Sequence, residues 1–156
     1  MAQKIGGSIG RDKSVDDLIA LEHELGLDRV DTLIQFNTKI SIVRDNLQKL
    51  IYSLKKEGKI IAGFGAPTKA TTLMAHFGLD EKVLDFIVDD NPLKQKLFTP
   101  ITHIPILSAD VLYERKPDYL LILAWNFAEP IMKMHEKYSK EIGQFILPMP
   151  EPKVVS

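Results

Sequence analysis

The stretch KIIAGFGAPTKATTLMAHFGLDEKVLDFIVDDNP, residues 59 to 92, decides the fold class of this chain. It opens with an apolar run of strand length, IIAGFG (60 to 65), and continues with a stretch of helical character from Pro67 to Phe77. A second apolar run, VLDFIV (83 to 88), follows. A strand, a helix and a strand in this order are typical of a right-handed parallel crossover. The stretch therefore predicts the beginning of an α/β sheet.

Three further apolar runs of strand length lie downstream: HIPIL (103 to 107), YLLILAW (119 to 125) and QFILP (144 to 148). Helical stretches from 108 to 115 and from 127 to 138 separate the last three runs, whereas the connection NPLKQKLFTPIT is irregular. This alternation predicts a Rossmann-like, mostly parallel five-stranded sheet with strand order 3-2-1-4-5. Sheets of this kind bind ligands at the carboxyl ends of the strands where the order reverses.

A helical segment, residues 14 to 57, precedes the sheet. Ser14 and Asp17 resemble a capping box, and Gly26 ends a first short helix. A second helix carries apolar residues at spacings of three and four until Gly58 stops it. The residues of this stripe are Leu33, Phe36, Ile40, Val43, Leu47, Leu50 and Leu54. A coiled-coil dimer seam is one interpretation, but the flanking positions lack complementary charges, so we favour packing within one polypeptide.

The composition of the chain makes nucleic acids, metal ions and membranes unexpected as binding partners. The chain has 156 residues, of which 45% are apolar, and a formal charge of −1 without a basic stripe, so nucleic acid is not an expected partner. There is no cysteine, and the four histidines lie far apart, so we expect no metal site. No apolar run reaches the roughly 18 residues of a membrane span, and the first residues lack the apolar core of a signal peptide. We expect a cytoplasmic location and no membrane contact.

The loop GFGAPTK, which follows the first apolar run, has the composition of an anion-binding turn. Gly63 permits a tight turn, Gly65 permits close approach of a ligand to the backbone, and Pro67 suits the first turn of a helix. Free N–H groups at the helix start favour an anion, to which Thr68 adds a hydroxyl and Lys69 a positive charge. A plain strand-to-helix turn remains the alternative, because Thr68 stands where a dinucleotide fingerprint has its third glycine.

Other candidate residues follow the remaining strands. Asp89 lies 24 residues beyond Gly65, where nucleotide-binding sheets place an acid that accepts hydrogen bonds from ribose hydroxyls, although it could merely cap a turn. Trp125 offers a flat surface for a base or sugar, or else belongs to the core, and Asn126 offers a donor and an acceptor. His103 follows an irregular loop, and a lone histidine of this kind is more often structural than catalytic.

The complete set of candidate binding residues is Gly63, Gly65, Ala66, Pro67, Thr68, Lys69, Asp89, Asn91, Lys94, His103, Trp125 and Asn126. Asp90 is a weaker candidate, and the other histidines, His23, His76 and His135, are expected on helix faces. No catalytic residue is identified, because the sequence has no G-x-S-x-G, no HExxH and no cysteine nucleophile.

Four ordered blocks, IAGFGAPTKATTL, DFIVDDNPLKQ, PITHIPI and PDYLLILAWN, resemble the C-terminal domain of the S-adenosylmethionine-dependent C-methyltransferases that act on nucleotide-linked deoxysugars. The leading GGSIG and the linker SVDDLIALEHELGLD continue the resemblance, which covers nearly the whole chain. The chain departs from the common family blocks GAPAKGNT, DRNP, PGTHIPI and PWN at Thr68, Ala70 to Thr72, Asp90, Ile101 and Ala124.

The resemblance implies that this domain binds a nucleotide-linked sugar and holds no cofactor itself. S-adenosylmethionine is implied for the full-length enzyme, in which a zinc-binding domain and a methyltransferase domain with the catalytic base precede this one. The methyltransferase domain is thus an expected partner, a homodimer is left open, and this chain alone is expected to be inactive. The alternatives are a dinucleotide-binding regulatory module and a structural or oligomerisation domain built on the helix from Asp28 to Glu57.

Four segments are predicted along the chain. Residues 1 to 13 are a remnant of the preceding domain or a linker, and residues 14 to 57 are a helical segment that packs on the domain. Residues 58 to 150 form the Rossmann-like domain that binds the nucleotide sugar, and residues 151 to 156 are a tail.

Overall fold

The structure, a computed structural model, describes residue 4, residues 6–8 and residues 10–156, so the predicted remnant at residues 1 to 13 lies partly outside the described residues. The helices are α1 (Lys13–Glu24), α2 (Val30–Lys56), α3 (Thr68–Phe77), α4 (Val111–Arg115), α5 (Ala128–Met134) and α6 (Glu136–Glu141), with a 3-10 helix at Trp125–Phe127. The strands are β1 (Ile61–Phe64), β2 (Ile87–Val88), β3 (Ile106–Leu107), β4 (Tyr119–Ile122), β5 (Gln144–Leu147) and β6 (Lys153–Val155).

One six-stranded sheet has the order β3-β2-β1-β4-β5-β6. The neighbours from β3 to β5 are parallel, which confirms the predicted α/β class and the order 3-2-1-4-5. The sheet has one strand more than predicted, because β6 pairs antiparallel with β5 inside the segment interpreted as a tail. A strand of three residues at the end of the chain is too short to produce a recognisable alternating pattern.

The ends of the central strands lie side by side. Phe64, the last residue of β1, is in register with Val88 at the end of β2 and with Ile122 at the end of β4. The residues that follow these ends therefore lie at one edge of the sheet, the position where parallel sheets bind ligands. We call this the carboxyl edge; it consists of residues 65–69, 89–95 and 123–127.

The core lies between the sheet and its helices. Ala62 and Phe64 of β1 belong to a buried cluster with Leu112 of α4, Ile131 of α5 and Tyr138 of α6. Strand side chains alternate in direction, and right-handed crossovers on either side of β1 place α3 and α4 on opposite faces of the sheet. Helices therefore cover both faces of the sheet.

The contacts divide the chain into two compact units, Met1–Ile40 and Ser41–Ser156. In the first unit, α1 buries no residue, and Leu33 and Phe36 near the start of α2 are exposed. In the second unit, the apolar stripe of α2 is buried at Leu47 and Leu54. The part of the stripe within this unit thus packs inside the α/β fold. The division of the chain at residues 13, 57 and 150 stays a prediction.

All five apolar runs form strands that are shorter than the runs themselves, and the second and third runs contribute only two residues each to the sheet. Val83 and Leu84 begin the second run, but both donate backbone hydrogen bonds to Asp80 O, at 3.0 and 2.9 Å, and so form a turn. The third run contributes only Ile106–Leu107 to the sheet, because the chain just before it bridges antiparallel to Phe98 through Pro105. Both runs are apolar because they are buried in the core, and burial alone does not distinguish a strand from a turn.

Helix ends also differ from the predicted ones. Asp12, rather than Ser14, is the N-cap of α1, and its carboxylate accepts a hydrogen bond from Ser14 N at 2.8 Å. The predicted helix from 127 to 138 is interrupted at His135, which has φ −106° and separates α5 from α6. Glycines in the left-handed region follow α1 and α2 as predicted: Gly26 has φ +65° and Gly58 has φ +75°.

Among the described helices, none combines the length and hydropathy needed to cross a lipid bilayer.

Candidate functional site

The loop after β1 turns closely over the end of β4. Gly63 lies inside β1 and not in the tight turn predicted for it, and a Cβ atom there would lie 2.9 Å from Ile87 Cγ1 and from Leu123 Cδ1, so packing favours a glycine at this position. Gly65 has φ +88°, a conformation that favours glycine, and its Cβ would lie 3.0 Å from Ala124 Cβ. Pro67 then forms the N-cap of α3 without a side-chain hydrogen bond to the first turn. The first N–H groups of α3 have no intrahelical acceptor, as at any helix start.

Lys69 lies in the first turn of α3 and is held by the 3-10 helix that follows β4. Its Nζ atom lies 4.8 Å from the centre of the Trp125 ring and 5.5 Å from the centre of the Phe127 ring. Both distances are those of cation–π interactions. The ammonium also donates a hydrogen bond to Asn126 Oδ1. We call these four residues the Lys69 cluster.

The partners that hold the ammonium of Lys69 are neutral. Across the part of the chain that the structure describes, Lys69 forms no ion pair with a carboxylate. A positive charge that is half-buried and lacks a counter-ion attracts anions. It lies in the first turn of α3, where the helix dipole also favours a negative charge.

Asp89 joins the loop after β1 to the loop after β2. Its buried carboxylate accepts hydrogen bonds from Ala66 N–H at 2.7 Å and from Lys94 Nζ at 3.0 Å through Oδ2, and from Asn91 N–H at 2.9 Å through Oδ1. Burial alone would raise the pKa of Asp89, but these hydrogen bonds and the charge of Lys94 outweigh it and hold the pKa below its ordinary value. Asp89 is therefore ionised and already well bonded within the protein.

The loop after β2 is organised around the same residue. Asn91 Oδ1 accepts a hydrogen bond from Leu93 N–H at 3.0 Å, and Gln95 Nε2 donates one to Asp89 O at 2.9 Å. Lys94 and Asp89 form an ion pair at 3.0 Å. The two lysines of the carboxyl edge thus differ, because Lys94 has a carboxylate partner and Lys69 does not.

His103 lies away from this group. The chain between β2 and β3 folds back as a narrow loop in which Ile106 N–H bonds Leu97 O at 2.8 Å and Phe98 bridges Pro105. His103 is exposed near the tip of this loop, four residues before Leu107, where β3 ends. At a rise of about 3.3 Å per residue, it lies roughly 13 Å from the carboxyl end of β3.

His135 is buried, although the sequence suggested a helix face. Its ring centre lies 4.8 Å from that of Phe64, and its Nδ1 atom lies 3.3 Å from the hydroxyl of Tyr113. Its Nε2 atom is buried without a hydrogen-bond partner among the described residues. Burial lowers the pKa of His135, an effect that the charge of Asp90 partly offsets. The imidazole is therefore neutral at pH 7 and part of the core.

The structure thus gathers most of the predicted residues into two linked groups. Lys69 meets Trp125 and Asn126, and Gly65 lies close to Ala124 just before them. Asp89 meets Asn91 and Lys94, and the hydrogen bond from Ala66 to Asp89 links the two groups. The sequence did not identify Phe127 and Gln95 as members of the candidate site. An aromatic residue two positions after Trp125 was a signal for Phe127, whereas nothing in the sequence indicated that Gln95 would bond a backbone carbonyl.

The chemistry of the carboxyl edge suits an anion beside a flat apolar surface. Lys69 supplies the charge, the start of α3 supplies N–H donors, and Trp125 and Phe127 supply rings. Within the described range, no group of three or more His, Cys, Asp or Glu residues is placed to hold a metal ion.

Comparison with known proteins identifies the family of this domain. Residues 1–150 match the family model described as C-methyltransferase C-terminal domain. The chain is similar to the C-methyltransferase NovU of Streptomyces niveus, with 36% identity over 143 residues. This alignment covers 92% of the chain and 34% of the relative, so the chain spans about a third of that protein's length. The chain therefore belongs to the C-methyltransferase C-terminal domain family.

Proposed function

We propose that this chain is the part of a C-methyltransferase that binds a nucleotide-linked sugar at the carboxyl edge. The diphosphate lies at the loop from Gly65 to Lys69, and the nucleoside or sugar lies beside Trp125 and Asn126. His103, at the tip of its loop, is left out of this site. The observation that carries the proposal is the charge of Lys69, which has no carboxylate partner in the described chain and lies in the first turn of a helix.

The same residues do not suit S-adenosylmethionine. The methyl-donating sulfonium of that cofactor is a cation, whereas Lys69 and the start of α3 favour anions. A Rossmann-like cofactor site also needs an acid after β2 that can accept hydrogen bonds from two ribose hydroxyls. Asp89 already accepts three hydrogen bonds, which leave about one of the roughly four acceptor positions of a carboxylate. The methyl donor and the catalytic base therefore belong to a methyltransferase domain that acts together with this one.

Isothermal titration calorimetry with thymidine-diphosphate and uridine-diphosphate sugars tests the proposal. We expect saturable binding to the chain, and about a tenfold or greater loss in Lys69→Met, because a charge-assisted contact to phosphate is removed. Lys82→Met removes the same charge from an exposed position away from the carboxyl edge and should bind as the parent does. Absence of binding at millimolar ligand, or equal binding by Lys69→Met, would contradict the proposal.

A dinucleotide-binding regulatory module is the second candidate. Its support is the glycine loop and the acid after β2. The hydrogen bonds of Asp89 weigh against it, because they leave this carboxylate too few acceptor positions for two ribose hydroxyls. Fluorescence titration with a reduced nicotinamide dinucleotide decides between the two, since saturation by the dinucleotide with no response to sugar nucleotides would favour the regulatory module.

Self-association through the helical segment at residues 14 to 57 is a further candidate, because Leu33 and Phe36 are exposed there. Sedimentation velocity across a concentration series would detect it. A double variant, Leu33→Glu with Phe36→Glu, should abolish any dimer while the thermal unfolding of the α/β unit stays unchanged. Leu47 is not suitable for such a test, because it is fully buried and a charge there would disrupt the core.

A further inference from the structure

The Trp125 ring carries a charged group on its face. The ammonium of Lys69 lies 4.8 Å from the ring centre, and Phe127 flanks the same ammonium at 5.5 Å. A planar base that stacks on an aromatic ring needs the ring face within van der Waals reach. The ammonium and a stacked base therefore compete for the same space above Trp125.

The ammonium of Lys69 is also easy to displace by comparison with the neighbouring lysine. Lys94 is bound to the buried, ionised carboxylate of Asp89. Lys69 has only an amide oxygen, from Asn126, and two rings as partners. Hydrogen bonds from an ammonium to a phosphate are stronger than those to neutral groups. A phosphate at the start of α3 therefore attracts the ammonium away from the rings.

We propose that Lys69 and Trp125 form an exchange pair, in which a phosphate draws the ammonium off the indole and thereby frees the ring face for the base of the same ligand. This proposal rests on the proposed function and names the feature of the substrate that the site selects: a phosphate and a planar base within one molecule. A free nucleoside must displace the ammonium without compensation, and a free phosphate leaves the ring uncovered. Asn126, once released by Lys69, has an amide oxygen available to a donor on the base or sugar.

The chain is suited to a direct test because Trp125 is its single tryptophan. Thymidine, inorganic pyrophosphate and thymidine diphosphate are titrated into the parent, Lys69→Ala and the charge control Lys82→Ala, with calorimetry for affinity and acrylamide quenching for access to the indole. In the parent, pyrophosphate alone should increase the quenching of Trp125 and should tighten thymidine binding about two- to fivefold, the factor that one cation–π contact represents.

The variant should separate the two roles of Lys69. We expect Lys69→Ala to bind thymidine about two- to fivefold more tightly than the parent, because no side chain then reaches the ring face, while pyrophosphate binding falls about tenfold or more. In this variant pyrophosphate should no longer affect thymidine. Lys82→Ala should reproduce the parent in each titration.

Two outcomes would overturn the exchange, and they differ from each other. If thymidine diphosphate binds the parent but pyrophosphate changes neither the quenching nor the thymidine affinity, and Lys69→Ala binds thymidine no more tightly, then Lys69 is a phosphate ligand only and the proposed function stands. If thymidine diphosphate binds neither the parent nor Lys69→Ala, then the proposed function fails and the exchange fails with it.

Discussion

At the scale of single residues, Asp89 connects the two loops that form the carboxyl edge. The spacing from Gly65 predicted an acid at this position and suggested a ligand contact. The structure shows that this carboxylate bonds Ala66, Asn91 and Lys94, and a ligand contact at Asp89 stays a prediction. The position of the acid followed from strand order, but its partners depend on loop conformations that a sequence pattern does not specify. Asp89 thus supports the shape of the site.

Replacing Asp89 with asparagine should destabilise the protein by about 2 kcal/mol, because an amide N–H₂ would face donors and Lys94 would lose its counter-ion. The folded-state pKa of Asp89 is lowered, so its contribution to stability is present above the unfolded pKa of about 4 and is lost as the pH falls through the folded pKa. Urea unfolding should therefore show the largest difference between parent and variant above about pH 5, and a shrinking difference below about pH 4.

The matched control is Asp90→Asn, at the exposed neighbouring position, which should change the free energy of unfolding by less than about 0.5 kcal/mol. A pH-independent gap between the parent and Asp89→Asn would contradict the ionised state assigned to this carboxylate.

The backbone conformation of Ile101 is expected to lower the stability of the folded protein. It has φ +69° and is 75% exposed, so a β-branched side chain occupies the left-handed region without burial in return. Ile101→Gly should raise the free energy of unfolding by about 0.5–1 kcal/mol and the melting temperature by about 2–3 °C. Leu93→Gly is the control at an 85% exposed position outside the left-handed region, and it should not stabilise. Calorimetric melting of both variants checks this, and an unchanged or lower melting temperature for Ile101→Gly would show that the position is unstrained.

At the scale of elements, the connection from α6 to β5 shows a close approach that no pattern revealed. A Cβ atom on Gly143 would lie 2.5 Å from Asp118 O and 2.7 Å from Pro117 O, and it would also meet the hydroxyl of Tyr138. That hydroxyl donates a hydrogen bond to Pro117 O at 2.9 Å, in a fully buried position. The backbone carbonyls cannot move without disturbing the start of β4.

Gly143→Ala should therefore lower the free energy of unfolding by about 3 kcal/mol, at the upper end of overpacking costs. Chemical denaturation measures the change, with Gly10→Ala as the control, since a Cβ atom on Gly10 meets no atom within 4 Å and should have little effect. A loss below about 0.5 kcal/mol in Gly143→Ala would mean that the connection is looser than described.

The types of element could be predicted from the sequence where buried residues recur with the period of a strand or a helix, as in β1, β4 and α3. They were not predictable where buried residues lie in turns, as at Val83 and Leu84, because periodicity reports burial rather than hydrogen bonding. The break at His135 was also not predictable, since no glycine or proline marks it.

At the scale of the whole molecule, the strand order brings together residues that are distant in sequence. The order 3-2-1-4-5 was sufficient to predict that Lys69 and Asn126, 57 positions apart, would meet at the carboxyl edge. It was not sufficient to predict that the ammonium would lie between Trp125 and Phe127, because this depends on the 3-10 helix after β4. The general position of the candidate site therefore follows from topology, and its chemistry follows from local geometry.

The most direct test of the central claim is to map amide and indole chemical shifts by heteronuclear NMR during titration with a thymidine-diphosphate sugar. If a nucleotide-linked sugar binds at the carboxyl edge, the amides of Gly65, Ala66 and Lys69 and the indole N–H of Trp125 should shift. The amides of residues 101–103 and of helix α2 should stay unchanged. Shifts confined to those segments, with Lys69 and Trp125 unaffected at saturating ligand, would contradict binding at the carboxyl edge.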